Sequence, residues 1–202
     1  KHECEYNLDF LEYFKDGPKI KEPRIYLRPE EITAARDLLK SRGIENPFVV
    51  LHPGSGGSTE VWPSANFLTL YASLKASGIA ALITGSNDEK QMILNDARRA
   101  KVDAISLAGE TNLRLLAAVL SLADLTVANS TGPLHLAAAV GTKVVGLYPH
   151  RRVMAPLRWG PLGTGHIVLQ PEKPTIGMDS ITVAQVHRAV SNMLKALSAA
   201  GK

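Results

Sequence analysis

A chain of 202 residues that is 45% hydrophobic and 21% charged has the balance of an ordinary globular protein, with enough apolar material for a real core. One cysteine, Cys4, excludes a disulfide scaffold or a cysteine-built zinc site within the chain. A net charge of +4, with few aromatic residues and no Lys/Arg-rich block, argues against a nucleic-acid partner and suits an anionic ligand. The charged start, Lys1-His2-Glu3-Cys4-Glu5, is no signal peptide, and the lack of an initiator Met suggests a fragment or a processed chain. Residues 1 to 16 read as a helix with Tyr6, Phe10, Tyr13 and Phe14 on one stripe, stopped by Asp16-Gly17-Pro18. A short strand over 24–27 leads to Pro29-Glu30-Glu31, a helix start, and a helix that ends at Gly43.

Regular alternation follows. The apolar run 48–51 predicts a strand buried on both faces, and the glycine-rich stretch His52-Pro53-Gly54-Ser55-Gly56-Gly57-Ser58 is the loop after it. A helix over 64–77 places Phe67, Leu70, Tyr71 and Leu74 on one face, and a second strand spans 79–84. Gly85-Ser86-Asn87-Asp88 turns into a helix to Ala100, and 104–107 reads as a third strand. Thr111-Asn112 caps a helix carrying Leu113, Leu116, Ala117 and Leu120; its apolar continuation to Leu125 is too short and too polar for a membrane span. Strands at 125–128, 143–148 and 166–169 and a closing helix over 182–197 complete the pattern. Such alternation predicts right-handed βαβ units, a Rossmann-like doubly wound parallel sheet of the α/β class.

Ligands of such sheets bind at the carboxyl ends of the strands. Four turns fall there: 53–58, Thr84-Gly85-Ser86, Gly109-Glu110-Thr111 and Ser130-Thr131-Gly132. The last opens a small-residue helix, with Pro133 near its first position. The free N–H groups and positive dipole end of that helix form an anion site, and Thr131 and His135, four residues apart, share a face. A hydroxyl before a helix is by itself an N-cap worth about 1 kcal/mol and needs no ligand; the convergence of four such turns on one rim is what points to a nucleotide. Asn129-Ser130-Thr131 also spells a glycosylation sequon, discounted because it ends a buried strand.

The blocks His52-Pro53-Gly54-Ser55-Gly56-Gly57, Trp62-Pro63, Leu82-Ile83-Thr84-Gly85-Ser86, Leu107-Ala108-Gly109-Glu110-Thr111 and Asn129 to Ala139 occur in an order that resembles the lipopolysaccharide heptosyltransferases, glycosyltransferase family nine, over residues 46 to 165. The resemblance implies the donor-binding half of a two-domain GT-B fold. Residues 1–22 would be the remnant of the amino-terminal, acceptor domain and its linker, and 23–202 the nucleotide-sugar-binding domain. It implies an ADP-heptose-like donor and a saccharide or lipid-linked saccharide acceptor held by the other half. That half would also supply the carboxylate base, so this chain alone would bind donor and do no chemistry. Carried over by position, Ser55 and Gly56 approach the pyrophosphate, Glu89 holds the ribose and Thr111 packs the base. Ser130 faces the sugar, and Thr131, Gly132 and His135 form the phosphate-side helix start. No metal or other cofactor is implied. The location implied is cytoplasmic, with peripheral contact to the inner membrane face.

Two positions depart from the family pattern. Glu60 stands where a lysine facing the diphosphate is usual, and Ser130 where an aspartate contacts the sugar. A unit charge at ~5 Å with an effective dielectric of ~20 is worth about 3 kcal/mol. Glu60 must therefore point away, or Arg151, Arg152 or Arg158 must supply the cation. Beside the transferase reading stand a sugar-nucleotide epimerase of the same architecture, which would need its own acid/base carboxylates, and a non-catalytic nucleotide-sugar-binding module.

Overall fold

Five parallel strands, ordered β2-β1-β3-β4-β5, form the single sheet of the computed structural model, which describes residues 1–10, 23–45 and 47–201. The elements run α1 (Glu3–Asp9), α2 (Pro29–Ser41), β1 (Phe48–His52), α3 (Ser64–Ala76), β2 (Ala80–Ile83), α4 (Asn87–Ala100), α5 (Leu113–Leu122), β3 (Leu125–Asn129), α6 (Gly132–Ala139), β4 (Lys143–Leu147), α7 (Pro156–Trp159), β5 (Ile167–Leu169) and α8 (Val183–Ala199).

Side chains alternate across each strand, so one sheet feeds two cores. Val49, Leu51, Ile83, Val127 and Val145 point to the face covered by α3, α4 and α8, where Phe67, Leu70, Leu74, Ile93, Val186 and Val190 are buried. Phe48, Val50, Leu82, Ala128 and Val144 point to the other, against α2, α5 and α6 with Ala35, Leu39, Leu116, Val119 and Leu134. Burial on both faces is why the strands read as unbroken apolar runs.

Three sequence expectations change. Residues 104–107 do not form a full strand; Ser106 makes one parallel bridge to Ile83, with Ile83 N donating to Ile105 O and Leu107 N to Ile83 O. The segment is cut short by the turn at Gly109, whose φ is +73°. Its place at the outer edge of β2 still gives the Rossmann order 3-2-1-4-5-6 when it is counted. Residues 24–27 are not a strand, because they run past the end of α6 rather than along a sheet edge, joined by Ile25 N to Ala139 O. The first helix spans Glu3–Asp9 instead of reaching residue 16, and residues 11–22, with Tyr13 and Phe14, lie outside the described residues.

The segment before α2 is strapped to α5. Glu31, 8% exposed, accepts from Arg114 Nε at 2.8 Å and from the Arg28 N–H at 2.8 Å, and Arg114 also donates to the Tyr26 carbonyl at 2.9 Å. The hydrogen bonds from Arg114, then from Arg28, hold the Glu31 carboxyl at about 2.

Candidate functional site

The order of the sheet reverses between β1 and β3, which leaves a crevice beyond their carboxyl ends. The loop after β1 lies on one side of it and the start of α6 on the other. Two buried side chains fix these walls. Asn129, at the end of β3 and 0% exposed, accepts from Trp62 N at 2.9 Å through Oδ1 and donates to Pro53 O at 2.8 Å through Nδ2. One amide thus clamps both ends of the 53–62 loop, and both its polar atoms are used, which closes the sequon to glycosylation. Trp62 is the wedge of that loop: its ring is fully buried, meets Phe67 edge-on at 4.9 Å and donates to Ile181 O at 2.6 Å.

The glycine-rich loop is held from the other direction by Glu89. This residue sits three positions into α4, where it completes a capping box with Ser86; Ser86 N donates to Oε2 at 2.8 Å. Its other oxygen reaches across and accepts from Ser55 N at 3.0 Å and Gly56 N at 3.4 Å. Burial raises the Glu89 pKa, but the N–H of Ser86 and its hydroxyl, the nearby His52 and the Gly56 N–H lower it further, so the net shift is downward. Gly54 makes room for this arrangement: a Cβ there would lie 2.0 Å from the Glu89 carboxylate. Beneath the loop His52, 5% exposed, shares a hydrogen bond between Nδ1 and Thr84 Oγ1 at 3.0 Å.

Across the crevice, Thr131 is the N-cap of α6 yet does not cap it. Its hydroxyl donates instead to Asn129 O at 3.2 Å. The N–H groups of Thr131 and Gly132 are left without a partner among the described residues, and they stand at the positive end of the helix. A cavity of about 210 Å³ opens on them, lined by Ser58, Thr59, Ser130, Thr131, Gly132, His135, Met154 and Trp159. His135 follows one turn later on the same side; burial, and next the charge of His2, lower its pKa, so the ring is neutral near pH 7. Ser130 leans on Tyr148, whose phenol is pushed up by burial and donates to Trp159 O at 2.7 Å.

Of the eight residues singled out in the sequence, Ser130, Thr131, Gly132 and His135 line this cavity, and Ser55, Gly56 and Glu89 are bonded together opposite. Thr111 lies apart, beyond the Gly109 turn, which Gly109 N ties to Gly85 O at 3.0 Å. Glu60 does not face the crevice as a lone charge: its Oε1 lies 2.5 Å from Arg151 Nε. Arg158 is taken by Glu3 at 2.6 Å and by the Trp159 ring. The sequence did not single out Met154 or Trp159 as walls, nor Asn129 and His52 as the supports beneath; a polar side chain ending a buried strand, which must find partners, was the available signal for the last two. Chemically, the site offers unpaired backbone donors, hydroxyls and a neutral imidazole: a receptor for an anion with a polar body attached.

A family model described as glycosyltransferase family 9 (heptosyltransferase) matches residues 2–181. The chain is 29% identical over 96% of its length to a Haemophilus influenzae protein provisionally assigned as a glycosyltransferase, of which it covers 59%. Its fold matches the crystal structure of a family 9 glycosyltransferase from Veillonella parvula with a TM-score of 0.84 at 21% identity, covering 96% of this chain and 60% of that one. It matches Escherichia coli ADP-heptose LPS heptosyltransferase II with a TM-score of 0.73 at 20% identity, covering 91% and 57%. The chain thus spans under two thirds of the length of these relatives, whose GT-B architecture its sheet shares in part. The chain belongs to glycosyltransferase family 9, the heptosyltransferase family.

Proposed function

We propose that this chain is the donor half of an inverting glycosyltransferase, binding an ADP-sugar of the heptose type for the synthesis of lipopolysaccharide or another cell-surface glycan. The observation that carries the reading is the uncapped start of α6, with the Thr131 and Gly132 N–H groups facing a cavity across from the glycine-rich loop. These donors receive the diphosphate, and His135 adds a neutral donor beside it. Ser130 meets the sugar, Thr111 packs the base, and Glu89 turns its remaining lone pairs to the ribose hydroxyls while its N–H partners Ser55 and Gly56 fix the loop. Transfer is a direct displacement with inversion. The departing diphosphate is stabilised by donors already in place, which is where such a site lowers the barrier. The carboxylate base and the saccharide acceptor belong to the part of the protein beyond this chain, so the chain alone binds and does not transfer. No metal takes part, and the protein works in the cytoplasm at the inner membrane face; no described helix is long and apolar enough to cross a membrane. An epimerase would need acid and base carboxylates at the sugar, whereas the cavity wall carries hydroxyls, one thioether, one indole and one imidazole.

A thermal-shift panel of ADP-, UDP-, GDP- and CMP-sugars tests the reading: the ADP-sugar raises the melting temperature, with or without EDTA, and the others do not. His135→Ala weakens ADP-sugar binding by about tenfold or more, the scale of one lost hydrogen bond to a charged group, and Thr131→Ala weakens it by releasing the hydroxyl tie to the Asn129 carbonyl that fixes the helix start. Unchanged calorimetric affinity in both variants rejects the site.

A further inference from the structure

We propose that Arg151 is the cation that meets the diphosphate, presented to the crevice by Glu60. The proposal rests on the donor-site reading of the cavity and adds the charge that the backbone donors lack. Glu60 directly follows the cavity wall at Thr59, and Arg151 lies just before the facing wall at Met154; Thr59 Oγ1 and Met154 Sδ meet at 3.9 Å. The ion pair therefore borders the space onto which the Thr131 and Gly132 N–H groups open.

Its geometry leaves the guanidinium donors unspent. Nε lies 2.5 Å from Glu60 Oε1, yet no N–H of Arg151 is aligned on a partner among the described residues. Guanidinium presents its donors as a planar fork, so an arginine held by charge alone keeps a pair of N–H groups for two oxygens of an oxyanion. Glu60 Oε1 is shut from solvent without an aligned hydrogen bond, so charge alone holds it to Arg151. The neighbouring cation Arg158 is committed elsewhere, to Glu3. Arg152, next in the chain and exposed, has no ion pair among the described residues and serves as the control.

The test is calorimetric titration of the intact protein with ADP and with adenosine. Arg151→Ala weakens ADP binding by about tenfold or more and flattens its dependence on salt, while adenosine binding stays unchanged. Arg152→Ala changes neither. Glu60→Lys in the Arg151→Ala background restores most of the ADP affinity, because an ammonium then enters from the opposite loop. Arg151 is exposed and Glu60 half-exposed, and an unchanged melting temperature verifies that each variant folds. Equal ADP binding by Arg151→Ala and wild type, or an equal loss for adenosine, overturns the assignment and leaves the donor site standing. A wild-type protein that binds adenosine and ADP equally rejects both.

Discussion

Asn129→Leu lowers the stability of the fold by about 3 kcal/mol, although leucine has the same branching and suits a buried strand end. The amide at this position is fully buried and satisfies two backbone groups that no other partner reaches among the described residues, the Trp62 N–H and the Pro53 carbonyl. Leucine leaves both shut away from water. Each orphaned group costs about 1–3 kcal/mol, far more than the net ~1 kcal/mol of a hydrogen bond made and lost as a pair. The expected signature is a lower urea midpoint with an unchanged m-value, since the native fold keeps its extent. Faster proteolysis within 53–62 accompanies it, because the clamp is the link from that loop to β3. Asn129→Asp separates the two bonds: the acceptor for Trp62 survives, while a buried charge now faces the Pro53 carbonyl, so this variant is no better than leucine. A loss below about 1 kcal/mol in Asn129→Leu shows that the loop finds other partners, and the clamp is then not what shapes the crevice.

The contrast between what the chain reveals and what it hides follows from the range of the interactions. β1, β2, β3 and β4 are buried on both faces and announce themselves as apolar runs, and the α4, α5 and α8 starts carry their own caps at Ser86, Asn112 and Thr182. These signals are local. At 104–107 the run is as apolar as a strand, yet pairing on one side only and the Gly109 turn hold it to a single bridge. The site shows the same division. The α6 start is local and legible, though not that Thr131 leaves it uncapped, whereas the clamp joins residues 67 and 76 positions apart and the Glu89 strut spans 34. No periodicity encodes such pairings. Glu60 illustrates the consequence: alone in the sequence it reads as a charge of the wrong sign, and only the fold brings Arg151 to it.

His52 gives the fold a pH dependence just below neutrality. Burial, the larger influence, pulls its pKa down to about 4, with the Glu89 carboxylate opposing. The folded value lies below the usual value of about 6.5 for an unfolded chain. Between these limits the unfolded chain binds more protons than the native one, so stability falls as the pH drops from about 6.5 towards about 4, by about 3 kcal/mol over the whole window. Glu89 acts lower down: its depressed pKa contributes stability above the usual carboxylate value, lost only as the pH falls below about 4.5. The two windows can therefore be told apart. His52→Asn keeps a polar partner for Thr84 Oγ1 and removes the titration, so the difference between wild-type and variant unfolding free energies isolates one proton. That difference should change by up to about 1.4 kcal/mol per pH unit between pH 4 and 6.5 and be flat above it. Identical pH profiles for the two proteins mean that the ring is not the group that titrates. Because His52 lies beneath the glycine-rich loop that Glu89 holds, its protonation disturbs that loop first, so proteolysis within 53–62 speeds up in the same window in the wild type but not in His52→Asn.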